Sequence, residues 1–179
     1  MSTSPVTWLS DAKWTSLTLK ERGLIVASVE CDVFKVHEVT QNDSPRIREY
    51  LNTAGAKPGS PWCASFVFWC FVRAGWRLSD GPGHPQSAFG WKAWAAKLGI
   101  LLNTCKGAQR GDLAGWVNAD GTGHIFFIVK AYSILGIWFM QTIEGNSNDA
   151  GSREGDRVIR KTRRWTSKMF RINMGAVRG

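Results

Sequence analysis

Four side chains in this sequence have the types and spacing of a thiol-dependent hydrolase. Cys63 stands in the stretch GSPWCASFVFWCFVRAG, directly after a Gly/Ser/Pro turn and in the first turn of an otherwise apolar helix. A cysteine there meets the helix dipole and the unpaired N–H groups of the first turn, which favour the thiolate, the form that attacks carbonyls. A thiol nucleophile also needs a base within hydrogen-bond reach and a third group that orients the base. Of the three histidines, His37 falls in a connector and His84 in the loop DGPGHPQ, whereas His124 opens the strand GHIFFIVKAYS. The following strand ends in TIEGN, so Glu144 and Asn146 come at its terminus. In an antiparallel pair the start of one strand lies beside the end of the next, which brings Glu144 or Asn146 next to His124. Either can accept the imidazole N–H and fix its tautomer.

The chemistry implied is amide hydrolysis through a thioester. Cys63 gives its proton to His124 and attacks the carbonyl, the backbone N–H of Cys63 helps to hold the oxyanion, and His124 then protonates the leaving amine. Each residue alone has a plainer reading. Cys70, among Phe and Trp neighbours on the same helix, reads as inert core; a strand histidine is commonly structural and a strand-end glutamate solvated. The combination is much rarer than its parts, and it points to a cysteine hydrolase.

The elements that must position these groups are legible in the apolar spacing. TLKERGLIVASVECDV, from Thr18 to Val33, carries Leu24, Ala27 and Cys31 at helical intervals. Asp43 or Ser44 can cap a second helix with Pro45 in its first turn and Gly55 closing it. A third helix runs from about Pro61 to Ala74 and stops at Gly75; a fourth fits SAFGWKAWAAKLG. After Gly107 the texture changes to β-branched and aromatic runs separated by turn residues: DLAGWV, GHIFFIVKAYS, IWFMQTIEGN, RVIRKTRR and KMFRIN. Helices first and strands second describe an α+β fold with an antiparallel sheet on which the Cys63 helix packs. The Ser/Thr-rich residues 1–18 read as a loose arm that packs Trp8 and Trp14, ahead of a single domain over residues 19–179.

Composition narrows the function further. The chain has 179 residues, 44% of them apolar and 21% charged, which suits one globular domain. Its 23 Lys and Arg exceed its 14 Asp and Glu, a formal charge of +9 that favours polyanionic partners such as nucleic acid, anionic lipid or acidic wall polymers. The charge is densest in RVIRKTRR, whose Val158 and Ile159 suit an exposed strand better than a tail. No DNA- or RNA-binding signature accompanies it, so no specific nucleic-acid partner is expected. Cys31, Cys63, Cys70 and Cys105 lack the paired spacing of a zinc site, and Cys63 and Cys70 lie too far apart on one helix for a disulfide. Ten tryptophans are many; Trp62, Trp91 and Trp116 are candidates for groove walls, with core packing the equal alternative for each. The N-terminal sequence shows no basic start followed by an apolar run, and no apolar run approaches bilayer length. The expectation is a protein made in the cytoplasm and released or delivered to its site of action.

GSPWCASFVFWCFVRAG closely resembles the nucleophile segment of the CHAP family, the cysteine, histidine-dependent amidohydrolases/peptidases of the papain-like NlpC-type group. NDSPRIREYLNTAGAKPG resembles the helix that precedes that cysteine, and RGDLAGWV, GHIFFIV and IEGNSN resemble the strands that follow, so the similarity covers roughly residues 18–173. The resemblance implies a papain-like fold with N-terminal helices on a five- to six-stranded antiparallel sheet. It implies Cys63 as nucleophile, His124 as general base and Glu144 as the orienting group. Asn146 matches the amide nearby, either as orienting group or as an oxyanion-side donor. It implies bacterial peptidoglycan as substrate, cut within the stem peptide or between muramic acid and L-alanine. The chain lacks the aspartate-rich loop of some members, so no structural calcium and no other cofactor is expected. A phage or prophage endolysin fits this description. So does an antibacterial effector with a cognate immunity protein in the producer. A monomer is expected. The competing readings are a catalytically inactive module that binds wall polymer and a cysteine peptidase on another amide substrate.

Overall fold

Capping chemistry places the helices. The computed structural model describes residues 10–148 and 155–177. Within them, α1 spans Asp11–Ser16, α2 Leu19–Asp32, α3 Pro45–Thr53, α4 Cys63–Arg73 and α5 Ala88–Lys97. At the head of α2 the backbone N–H of Thr18 donates to the Glu21 carboxylate (2.8 Å), while Ser44 and Ser87 accept backbone N–H groups at the heads of α3 and α5. Gly55 and Gly75, with φ of +65° and +94°, turn the chain out of α3 and α4 in the left-handed conformation that glycine adopts without strain.

Within the arm expected for residues 1–18, the segment from Asp11 forms α1. Ser10 caps α1 by accepting the Lys13 N–H, and the indole of Trp14 is wholly buried, with the Arg22 guanidinium 5.9 Å from its centre. One tryptophan with that much apolar area is enough to anchor a six-residue helix that has little propensity of its own. Trp8 lies outside the described residues.

Six strands form one antiparallel sheet in the order β1-β6-β2-β3-β4-β5: β1 Leu101–Leu102, β2 Leu113–Val117, β3 Gly123–Ile134, β4 Ile137–Ser147, β5 Arg157–Arg164 and β6 Met169–Ile172. With the helices ahead of it, this is the α+β arrangement expected from the sequence. Side chains alternate between the two faces. On β3, Ile125 and Phe127 belong to the core shared with the helices, and Phe126 and Ile128 to a smaller cluster on the other face with Ala114 and Met140. A bulge between Ile128 and Lys130 re-aims the outer half of β3.

α4 lies between the sheet and the other helices, against β3 and β4 on one side and α2 and α3 on the other. Every residue from Cys63 to Phe71 is buried, which explains a helix that is apolar all round instead of along one stripe. Its approach to β4 depends on Gly145, where an added Cβ would come within 2.8 Å of the Phe66 side chain. The absent side chain lets the first turn of α4 close onto the strand end that carries Glu144 and Asn146.

Candidate active site

Cys63 is the first residue of α4, after the cap residue Trp62. It is 7% exposed, and its sulfur lies 4.0 Å from the Gly123 carbonyl, at the opening of β3. There it shares the cleft wall with the ring of His124, the next residue. Burial by itself would raise the thiol pKa. The ring of His124 and its charge, with the backbone N–H groups of Ile125 and Ala64, outweigh burial and hold Cys63 below the ordinary thiol value. The other cysteines move the opposite way. Burial and the Asp32 charge push Cys31 up to about 11, burial raises Cys105, and Cys70, wholly enclosed, goes well above the usual range.

His124 is fixed from its other side. Its Nε2–H donates to Glu144 Oε2 (2.9 Å), which leaves Nδ1 free to act on Cys63. Burial alone would depress the imidazole pKa. The interactions with Cys63 and Glu144 more than compensate and bring it to about 9. With the thiol lowered and the histidine raised, both shifts move the pair toward thiolate and imidazolium. The ring of Trp116, directly across from His124 on β2, lies 5.1 Å from the imidazole, and that of Phe126 lies 5.7 Å away.

Glu144 has no exposed surface, and burying a carboxylate is costly unless its charge is met. Arg163 meets it. Nε donates to Oε1 at 2.5 Å and Nη2 to Oε2 at 2.6 Å, in the two-pronged geometry that suits guanidinium and carboxylate. The hydroxyls of Thr142 and Ser147 add bonds of 2.6 and 3.2 Å. Burial pushes the Glu144 carboxyl up, but His124 and Arg163 together hold it well below the usual carboxylate range. The Arg163 guanidinium in turn lies 5.1 Å from the centre of the Trp116 ring and 5.4 Å from that of Phe126.

Asn146, two residues beyond Glu144 on the same strand, serves a different neighbour. Its backbone is in the left-handed region (φ +52°), and its amide spans two loops: the nitrogen faces the Gly155 carbonyl (2.5 Å) and the oxygen accepts the Trp62 N–H (3.3 Å). Of the two residues that the sequence offers to His124, Glu144 is on the ring, while Asn146 ties down the peptide just before Cys63. Trp62 and Trp91 do not form groove walls. Both rings are fully buried, with the indole N–H of Trp62 donated to Glu38 Oε1 and that of Trp91 to the Pro85 carbonyl, each at 2.9 Å. Large apolar rings whose one polar atom finds a partner inside the protein are retained by the core. Trp116 is half-buried and backs the histidine.

Cys63, His124 and Asn146 open onto a cleft of about 460 Å³, within the size range of small-ligand sites. Lys57, Gln86 and Ser87 also line it, and sequence reasoning did not single them out. Arg163 was missed as well. It stands among five Arg and Lys residues in RVIRKTRR, and only the pairing of β5 with β4, which sets it opposite Met140, distinguishes it from the others. No group of three or more His, Cys, Asp or Glu among the described residues is placed to hold a metal ion. No helix among them is long and apolar enough to cross a membrane.

A family model described as CHAP domain matches residues 55–146, just over half of the chain, from the loop before Cys63 through Asn146. No curated protein and no solved structure matches.

Proposed function

The chain belongs to the CHAP-domain family, a peptidoglycan-related family of cysteine- and histidine-dependent amidases and peptidases, and from that membership we propose that it hydrolyses an amide bond of the bacterial wall peptide. The single observation that supports this reading best is the Cys63–His124–Glu144 chain opening into the cleft, with the thiol held low and the imidazole held high.

In this proposal the Cys63 thiolate attacks the scissile carbonyl and forms a tetrahedral intermediate, whose oxygen is held by the backbone N–H of Cys63 at the positive end of α4. The His124 imidazolium gives its proton to the leaving amine, the C–N bond breaks and a thioester remains. His124, now neutral, takes a proton from water as that water attacks the thioester; collapse releases the acid and regenerates thiolate and imidazolium. Glu144 stays ionised throughout and stabilises the imidazolium. Asn146 fixes the position of the Cys63 N–H by holding the preceding peptide. The positive charge of the chain draws it to anionic wall polymers. The enzyme acts at the wall after release or delivery from the cytoplasm, as an endolysin.

Digestion of purified sacculi, followed by mass spectrometry of the released muropeptides, tests the reading and names the bond. Cys63→Ala is expected to abolish release while the fold persists. Cys70→Ala is expected to leave the chemistry intact and to destabilise the core by about 1–3 kcal/mol. Equal loss of activity in both, without unfolding, contradicts the assignment. Rapid alkylation of Cys63 by iodoacetamide at neutral pH, with Cys31, Cys70 and Cys105 lagging, separates an armed enzyme from an inactive binding module.

A further inference from the structure

The cleft contains two polar groups that the proposed chemistry does not use. Lys57, on the loop between α3 and α4, is the one charged side chain among the described lining residues outside the Cys63–His124 pair. Its ammonium has no hydrogen-bond or ion-pair partner among the described residues. Gln86, on the other side of the sequence from Cys63, lines the same cleft and has its side-chain oxygen buried without any hydrogen bond. A buried acceptor left unmet costs stability, and a turn of the Gln86 amide would bring that oxygen from the protein side into the cleft. The two groups call for complementary chemistry: an anion for the lysine and an N–H donor for the glutamine. No Asp or Glu lines the cleft among the described residues to compete for the lysine. The acidic groups near its rim are already engaged, Asp120 with the Thr122 hydroxyl and backbone N–H, and Glu38 with the Trp62 indole.

We infer that the cleft contains a carboxylate subsite, in which Lys57 pairs with a free carboxylate of the peptide that flanks the scissile amide while Gln86 Oε1 accepts a backbone N–H of the same peptide. The ligand class is a peptide amide with an ionised carboxyl near the bond to be cut, and the same peptide with that carboxyl converted to a carboxamide is the disfavoured form. This rests on the reading of Cys63 as an amide hydrolase, because it assigns subsites of that one cleft. Lys57 is exposed at the mouth, so its pairing discriminates modestly and chiefly through binding, leaving the chemical step at Cys63 unaffected.

The test uses matched synthetic stem peptides, one with free carboxylates and one with carboxamides in their place, titrated calorimetrically onto the Cys63→Ala protein so that nothing is consumed. The free-carboxylate peptide is expected to bind about threefold to tenfold more tightly. Lys57→Met should remove that preference, Lys57→Arg should keep it and Lys57→Glu should reverse it. Gln86→Leu should weaken both peptides equally and leave their ratio unchanged. Equal binding of the two peptides, or a preference that survives Lys57→Met, overturns the lysine assignment; unchanged binding in Gln86→Leu overturns the glutamine assignment. Sacculus digestion by the unmutated protein keeps the two readings apart. Hydrolysis without discrimination refutes the subsite and leaves the hydrolase. Discrimination without hydrolysis does the reverse.

Discussion

At the level of single residues, what organises the site is a buried negative charge and its compensation. Glu144 can stay ionised without solvent because Arg163 supplies two donors and two hydroxyls supply more, and Cys63 together with the ionised Glu144 raises the pKa of His124. Arg163→Gln is therefore expected to lower kcat by about tenfold or more with little change in KM, because the arginine acts through Glu144 and does not touch substrate. It should also destabilise the fold by about 3 kcal/mol through the unpaired carboxylate. Arg163→Lys, which keeps the charge but not the fork, should recover part of both. The thiolate leaves its own signature on the ring: in Cys63→Ala the His124 titration should move down from about 9, and NMR of the ring protons reads it directly. An unmoved titration would mean that Glu144 alone sets the value. Cys63, His124 and the pair Glu144 and Asn146 were legible in the sequence because a helix start, a strand start and a neighbouring strand end are local signals, but which of the pair meets the ring was not. Arg163 was not, since its role depends on which strand β5 pairs with. The direction of Trp62 and Trp91 was not legible either, because a tryptophan reads the same in a sequence whether it faces a core or a groove.

At the level of elements, the site is a junction of one helix N-terminus with two strand ends, and the fit is set by a missing side chain. Gly145→Ala places a methyl where Phe66 now sits, so α4 must lift from β4 or Phe66 must leave its rotamer. A cost of about 1–3 kcal/mol is expected from chemical denaturation, together with slower alkylation of Cys63 as its helix start shifts. Phe66→Leu in the same chain should restore part of the labelling rate. Normal labelling in a destabilised Gly145→Ala would place the clash away from the site. The sequence announced α2 to α5 and five of the strands through spacing and caps. It did not announce α1, six residues held by Trp14, nor β1, two residues paired with β6, because elements that short have no period to read and exist by tertiary contact.

For the whole molecule, the ionic pairs define a pH window. The depressed Glu144 contributes stability that is fully present above its unfolded value of about 4.3 and is lost as the pH falls toward its folded one. The raised His124 contributes stability that is fully present below about 6.5 and is lost as the pH rises through about 9. From these two groups, stability should be greatest between about pH 4.3 and 6.5 and fall on both sides, as urea midpoints across pH will show. Glu144→Gln should flatten both limbs; a profile unchanged by that substitution would assign them to other groups. The strand RVIRKTRR carries less free charge than its composition implies, since Arg160 pairs with Asp32, Arg157 with Asp156 and Arg163 with Glu144. The family match ends at Asn146, yet the guanidinium that neutralises Glu144 comes from β5, beyond it. A chain cut back ahead of that strand would keep Cys63, His124 and Glu144 but lose the guanidinium that meets the carboxylate. The buried carboxylate beside His124 therefore relies on an edge strand that lies outside the matched segment.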